Sequence, residues 1–472
     1  MNTANIIWMS SLKNISLKIK IIMKNIYVQS ITKSFIFIVF IIGFSIDVKA
    51  TNIKELFNTY SNKQIVGNVA SIDLTPDLSM KFALGGYGSR MSKPAEAVHD
   101  RIWAKALVLK EGDKKYAIVT LDVLGLPPNV RPQLIQSLAA YGWNMENIML
   151  LPSHSHTSFD MPALNDKNNL NSPQIGIFQP ELLEYVIDAL SNLIREADKN
   201  LQPVKIGTSS ILLKNMNRNR RGDPDVDNEI TLTRIDHLDG TPMTALVNWT
   251  AHPTFMSGSD MWVSGGWPGY LQRELEQWIG NGVTVMYYNG AEGDQSPIGK
   301  GGGSHYETAE IYARELAINV LEVYQNVKTS SNIKFEYNYN TIELPKRKVH
   351  PSFMETGGEE YNLTPEALDI VLKVMSPEKT NIGALRIGEL LIVGAPGEMA
   401  AGLGLNIKNK LKEKGIKHPV IGGLANEWIS YILSADQYNH GEGYESSVSF
   451  YGDGLGKVIV DGMLKTSIPL TK

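Results

Sequence analysis

Short apolar runs alternate along this chain with longer stretches whose apolar residues recur at helical spacing. Residues 116–121, 147–151, 283–288, 390–393 and 419–421 are apolar without an amphipathic period, which predicts strands buried on both faces. Residues 181–197 set Leu183, Val186, Ile187, Leu190, Leu193 and Ile194 on one helical face, and 269–279 and 307–323 are predicted helices as well. Residues 223–276 read as a hairpin turning at Asp239-Gly240, then a polar loop and a helix. No internal repeat, low-complexity tract or linker interrupts residues 60–465. The pattern therefore predicts an α/β fold: a single large mixed-sheet domain with flanking helices and its active site at strand-exit loops.

Composition narrows the function without naming it. The chain has 472 residues, 43% hydrophobic and 20% charged, which suffices for a large buried core. A net charge of -4 gives no basic footprint, so nucleic acid is set aside as a partner. There is no cysteine, so disulfides, thiolate metal sites and a cysteine nucleophile are excluded, and any metal must be held by His, carboxylate or other oxygen ligands.

The N-terminus speaks to location. Lys24 and Lys33 precede the apolar run 35–46, which is shorter than the roughly twenty residues of a spanning helix. Val48-Lys49-Ala50 supplies small residues where a signal peptidase reads them. This predicts a signal peptide over 1–50 cleaved after Ala50, with Met23 as the true start, a hydrolase domain over 51–472, and a secreted or periplasmic protein. An uncleaved anchor is the alternative.

Reactive residues fall just past the predicted strands. His154 follows Leu151, His252 follows 245–249, the segment 289–297 follows Tyr288, and Glu398 follows Val393. Alternate residues of an extended chain share a face, so His154 and His156 point the same way, yet bringing both rings to one metal needs a local bend. One ligand and one catalytic partner is the simpler division. Glu398, in the turn Gly394-Ala395-Pro396-Gly397-Glu398, supplies a carboxylate, which reads equally as a charge at a helix N-terminus, since Met399 onward looks helical. Asp122 and Asp294 are candidates to orient a liganding histidine, and Trp249, Trp262 and Trp267 to wall the site. His99-Asp100-Arg101 lines the entrance or forms an ion pair. Ser153, Ser155 and Ser158 lack the Gly-x-Ser-x-Gly frame of a serine nucleophile.

In order and spacing, several short motifs resemble the neutral ceramidase family of zinc amidases from about Gly67 to Gly454. They include Gly85-Gly86-Tyr87-Gly88, His99-Asp100-Arg101, Thr120-Leu121-Asp122, Ser153-His154-Ser155-His156-Thr157-Ser158, Asn217-Arg218, Gly293-Asp294-Gln295-Ser296-Pro297, Pro396-Gly397-Glu398 and Leu424-Ala425-Asn426. The resemblance implies one Zn²⁺ held by His154, His252, Glu398 and Tyr431, with His156 as general acid/base and Arg218 and Tyr444 as donors to the developing oxyanion. It implies hydrolysis of an N-acyl amide, ceramide to sphingoid base and fatty acid, by water activated at zinc. It covers the catalytic domain, without the β-sandwich that full-length members carry. Two departures stand out: Phe159-Asp160-Met161-Pro162-Ala163 replaces a glycine-rich continuation, and one extra residue separates Tyr431 from Tyr444. The expected partner is a small-molecule or lipid N-acyl substrate, with transient membrane-surface contact and no stable protein partner. A deacylase, deacetylase or esterase acting on a soluble N-acylated sugar or glycan is the alternative among enzymes. Outside enzymes, it is a non-catalytic envelope binding protein.

Overall fold

Strands apolar on both faces need cover on both, and here a second sheet provides half of it. The computed structural model describes residues 64–440 and 443–472, all within the unit Gln64–Lys472. The predicted signal peptide and start site lie outside the described residues. The larger sheet contains β1 (Val66–Asp73), β2 (Trp103–Glu111), β3 (Lys114–Leu121), β4 (Ile148–Pro152), β5 (Gln202–Leu212), β6 (Glu229–His237), β7 (Pro242–Trp249) and β8 (Thr284–Asn289). Its order is β8-β7-β6-β5-β1-β2-β3-β4. The two outermost pairs are parallel and the inner pairs antiparallel, so the sheet is mixed, as expected.

The second sheet runs β9-β10-β11-β12, from Phe335–Glu343, Lys379–Ile387, Leu390–Gly394 and His418–Gly422. Leu107, Ile118, Met149, Leu151 and Met286 of the first sheet pack against Leu385, Ile387, Leu390, Ile392 and Val420 of the second. On the outer face of the larger sheet, α1 (Val130–Leu138) and α2 (Pro180–Ala197) cover one half. The helices α3 (Gly266–Ile279) and α4 (His305–Asn326) cover the other. After α5 (Pro365–Met375), the helices α6 (Ala401–Glu413) and α7 (Leu455–Ser467) close the outer face of the second sheet. The result is a helix–sheet–sheet–helix sandwich. The predicted apolar face of α2 is the one it buries, with Val186, Leu190 and Ile194 fully covered; each such side chain contributes about 1.5–3 kcal/mol.

The hairpin forms from β6 and β7, its turn closed by Thr241 N–H on Asp239 Oδ1 and by Gly240, whose φ of 94° suits glycine. One local expectation fails. Glu398 does not open a helix: α6 begins at Ala401, and Glu398-Met399 instead pair in parallel with Tyr431-Ile432. Among the described residues no helix is long and apolar enough to cross a membrane.

Candidate active site

Four strand exits converge where the parallel pairs end. His154 leaves β4 with φ of 70°, a left-handed turn that an L-residue adopts at a cost. That turn is the bend the His-x-His pair requires: it brings the His156 Nε2 to 3.3 Å from the His154 Nε2. His252 enters from the loop after β7, its ring centroid 4.8 Å from that of His154. Glu398 arrives from beyond β11, its Oε2 3.0 Å from His252 Nε2 and 3.4 Å from His154 Nε2. All four side chains are buried.

The ring orientations are set by backbone carbonyls. His154 Nδ1 lies 2.6 Å from Leu124 O and His252 Nδ1 2.7 Å from Glu292 O. Each Nδ1 therefore carries the proton, and each Nε2 turns its lone pair inward. Acceptors aimed at one another around a carboxylate are the donor set of a cation site, and the ligand atoms of His154, His156 and His252 all lie within 4.8 Å of one another. Burial and the neighbouring His154 and His252 hold His156 well below the usual histidine range. His252 is pushed down to about 4 by burial and Arg220. Gly86 explains part of the Gly-Gly motif, because a Cβ there would lie 2.3 Å from His156 Nδ1.

The structure brings Tyr431 and Tyr444 to the same place. Tyr431 is positioned by its pairing with Glu398, and its hydroxyl accepts from Arg220 at 3.0 Å. Tyr444 lies on the cavity wall, its ring 6.0 Å from that of Tyr431 and its hydroxyl 3.3 Å from that of Tyr361.

Arg218 is not brought in. The strand Asn217–Asn219 buries both asparagines and turns Arg218 outward to solvent. Arg220, just past that strand, takes the inner position, anchored by Glu445 and Gly293 O, and lines the cavity. Nothing in the arginine-rich run singles out Arg220; the alternation of buried asparagines is the signal that excludes Arg218.

The expected supporting residues also sit elsewhere. Asp122 accepts from Gln272 and Trp103 N–H, and Asp294 from Ala401 N–H, Gln295 and Asn219, so backbone carbonyls orient the histidines and these carboxylates do not. Asp100 holds Ser264, Gly265 and Arg273 away from the cavity. Trp249 and Trp267 are core residues and Trp262 is a surface one. The tryptophan that does wall the site is Trp428, whose indole N–H donates to Glu398 Oε1 at 2.7 Å. Glu292, fully buried, has no side-chain hydrogen bond among the described residues, and burial together with Glu398 pushes it well above the carboxylate range.

His154, His156, Arg220, His252, Glu398 and Tyr431 form the floor of a cavity of about 690 Å³. Its roof is the segment from Pro351–Glu355 through Gly357–Glu360 to α5. Thr364 caps α5 and Pro365 opens it, while Leu368, Val371, Leu372 and Met375 face the cavity at helical spacing. Glu360 ties the roof to the far rim by accepting from Gly88 N–H at 3.1 Å.

A family model for neutral/alkaline non-lysosomal ceramidase, N-terminal, matches residues 66–310, just over half of the chain. The chain belongs to that family. Membership makes it a hydrolase of amide bonds. Neutral ceramidase B of Dictyostelium discoideum is 21% identical over 88% of this chain and 73% of its own. The neutral ceramidase of Pseudomonas aeruginosa is 22% identical over 80% of this chain and 70% of its own. The crystal structure of neutral ceramidase from Pseudomonas aeruginosa superposes with a TM-score of 0.75 at 20% identity, covering 87% of this chain and 75% of that one, which establishes the shared fold.

Proposed function

We propose that the protein is a zinc-dependent amidase that hydrolyses a lipid N-acyl amide of the ceramide type, releasing a long-chain amine and a fatty acid. One observation carries the reading: the convergent His154, His156, His252 and Glu398 lie at the floor of a cavity whose wall is predominantly apolar, with Leu124, Met161, Leu368 and Phe450 outweighing polar residues such as Gln174 and Glu360. A soluble sugar amide would leave that wall against water. His154, His252, Glu398 and Tyr431 would hold the metal, since imidazole and oxygen donors without thiolate suit zinc. When bound, the metal supplies Lewis acidity, acidifying a water toward a pKa of roughly 7 and polarising the amide carbonyl.

The chain's own groups do the rest. His156, its Nε2 3.3 Å from His154 Nε2, takes the proton that the attacking water loses. It then delivers that proton to the amide nitrogen, without which the amine cannot leave. Arg220, in the position expected of Arg218, and Tyr444 donate to the carbonyl oxygen as charge develops on it. The apolar wall orients the acyl or sphingoid chain and keeps water from the reacting carbonyl. The proposed mature chain is a single hydrolase domain over 51–472, exported through the N-terminal signal.

The test loads the purified protein with Zn²⁺ and follows amine release from N-acylsphingosines, N-acetylated sugars and N-acyl amino acids, with elemental analysis alongside. The expected result is about one zinc per chain, release from N-acylsphingosines, and loss of both in His154→Ala. Release from sugars alone, or activity unchanged in His154→Ala, overturns the reading.

A further inference from the structure

The carboxylate of Glu398 is divided between two tasks. Oε2 faces the histidine nitrogens, 3.0 Å from His252 Nε2 and 3.4 Å from His154 Nε2, whereas Oε1 points away from them and accepts the indole N–H of Trp428 at 2.7 Å. An indole N–H can only donate, so this contact holds Oε1 as an acceptor and leaves Oε2 free for a cation. The backbone of Glu398 is fixed by pairing with Tyr431 and by its N–H on Ser430 O. Backbone pairing does not fix the terminal torsion of a glutamate side chain, which is broad. The groups touching the two oxygens fix it.

Trp428 is itself held rigidly. Its backbone N–H donates to Leu126 O at 2.9 Å, Phe450 meets its ring edge-on at a centroid distance of 6.2 Å, and Leu124, Met161 and Met375 form the small apolar cluster it packs against. Leu126 follows closely on Leu124, whose carbonyl orients His154. One loop therefore sets both a histidine and the tryptophan that sets the carboxylate.

We infer that Trp428 is a positioning residue for the metal: its indole N–H locks Glu398 so that a single oxygen is presented to the cation, while its ring closes the apolar wall above. The inference rests on the proposed metal site. Losing a partner of this kind weakens metal binding by about 10- to 100-fold.

The experiment measures Zn²⁺ affinity by competition with a chromogenic chelator in the wild-type protein, in Trp428→Phe, which keeps a ring and removes the donor, and in Trp428→Tyr, which restores a donor. It also records thermal melting of each metal-free protein. The expected result is a 10- to 100-fold higher Kd for Trp428→Phe, recovery in Trp428→Tyr to within about fivefold of wild type, and metal-free melting unchanged within about two degrees. Equal affinities of wild type and Trp428→Phe overturn the inference, as does a folded Trp428→Tyr that binds as weakly as Trp428→Phe. Where Trp428→Phe fails to fold, replacing Trp428 with benzothienylalanine removes only the N–H and decides between the same outcomes. No Zn²⁺ binding by the wild-type protein is a different failure, that of the metal site itself.

Discussion

The floor and the roof of the cavity are built on opposite plans. The floor consists of buried side chains at strand exits, three of them with an orienting partner: Leu124 O for His154, Glu292 O for His252, Trp428 for Glu398. The roof is a helical excursion between β9 and β10 that meets the floor through apolar side chains and a few polar ties, Glu360 to Gly88 and Tyr361 to Tyr444 among them. Rigid strands suit chemistry, because catalytic groups displaced by an ångström lose much of their effect. A helix laid over them suits selection, because most of its apolar face meets the cavity and not the ligands, Met375 beside Trp428 being the exception. The comparison teaches that the reaction and the choice of substrate are carried by separable parts of one domain.

The largest effect should come from the floor. His156→Ala is expected to lower kcat by about 10²- to 10⁴-fold with bound metal retained. Arg220→Ala should cost roughly 10²- to 10³-fold, and Arg218→Ala less than about twofold, because Arg218 faces solvent. Steady-state kinetics and elemental analysis on the three variants check this; an Arg218 effect matching that of Arg220 would break the assignment of the inner arginine.

A smaller, selective effect should come from the roof. Leu368→Asp puts a charge on the α5 face that lines the cavity. Losing one apolar side-chain contact of about 1.5–3 kcal/mol raises KM for a long-acyl amide by about 10- to 150-fold, whereas a short-acyl amide should keep its kcat within about twofold. Comparable losses on both substrates would show that roof and floor do not separate.

The smallest effect belongs to the rim where the two regions meet. Asp160, in the loop that follows His156, is pushed up to about 7 by burial, with Arg90 opposing. Its folded value lies above the unfolded 3.8, so its contribution to stability is full below about pH 4 and is lost as pH rises through 7. Asp160→Asn cannot charge. Its melting temperature should match that of the wild type at pH 4 and exceed it by roughly 1–2 °C at pH 8, corresponding to about 1 kcal/mol in a domain of this size. Calorimetry at the two pH values reads this directly, and equal melting at pH 8 would count against a carboxyl whose burial outweighs Arg90 at the rim.

Much of this division is visible in the residues. The strands 116–121, 147–151, 283–288, 390–393 and 419–421 lie where the apolar runs predict them, to within a few residues, because a strand covered on both faces has to be apolar throughout. That same uniformity hides what covers it, so the second sheet could not be told from a layer of helices. The roof helix had its own signals, Thr364-Pro365 followed by Leu368, Val371, Leu372 and Met375, but an amphipathic face does not say whether it meets a core or a cavity.

The site divides along the same line. The amino-acid sequence by itself determined the chemistry available: histidines and a carboxylate at strand exits, no thiolate, and enough apolar chain to bury them. Folding decided which of these meet. Only the left-handed turn at His154 brings His156 onto the same point, and only the pairing of Asn217–Asn219 turns Arg218 out and leaves Arg220 within. Likewise, the link between Trp428 and Glu398 spans thirty residues of sequence and 2.7 Å of space. Side-chain type is local information, whereas the direction in which a side chain points depends on backbone turns and on partners far along the chain, and these exist only once the sheets have packed.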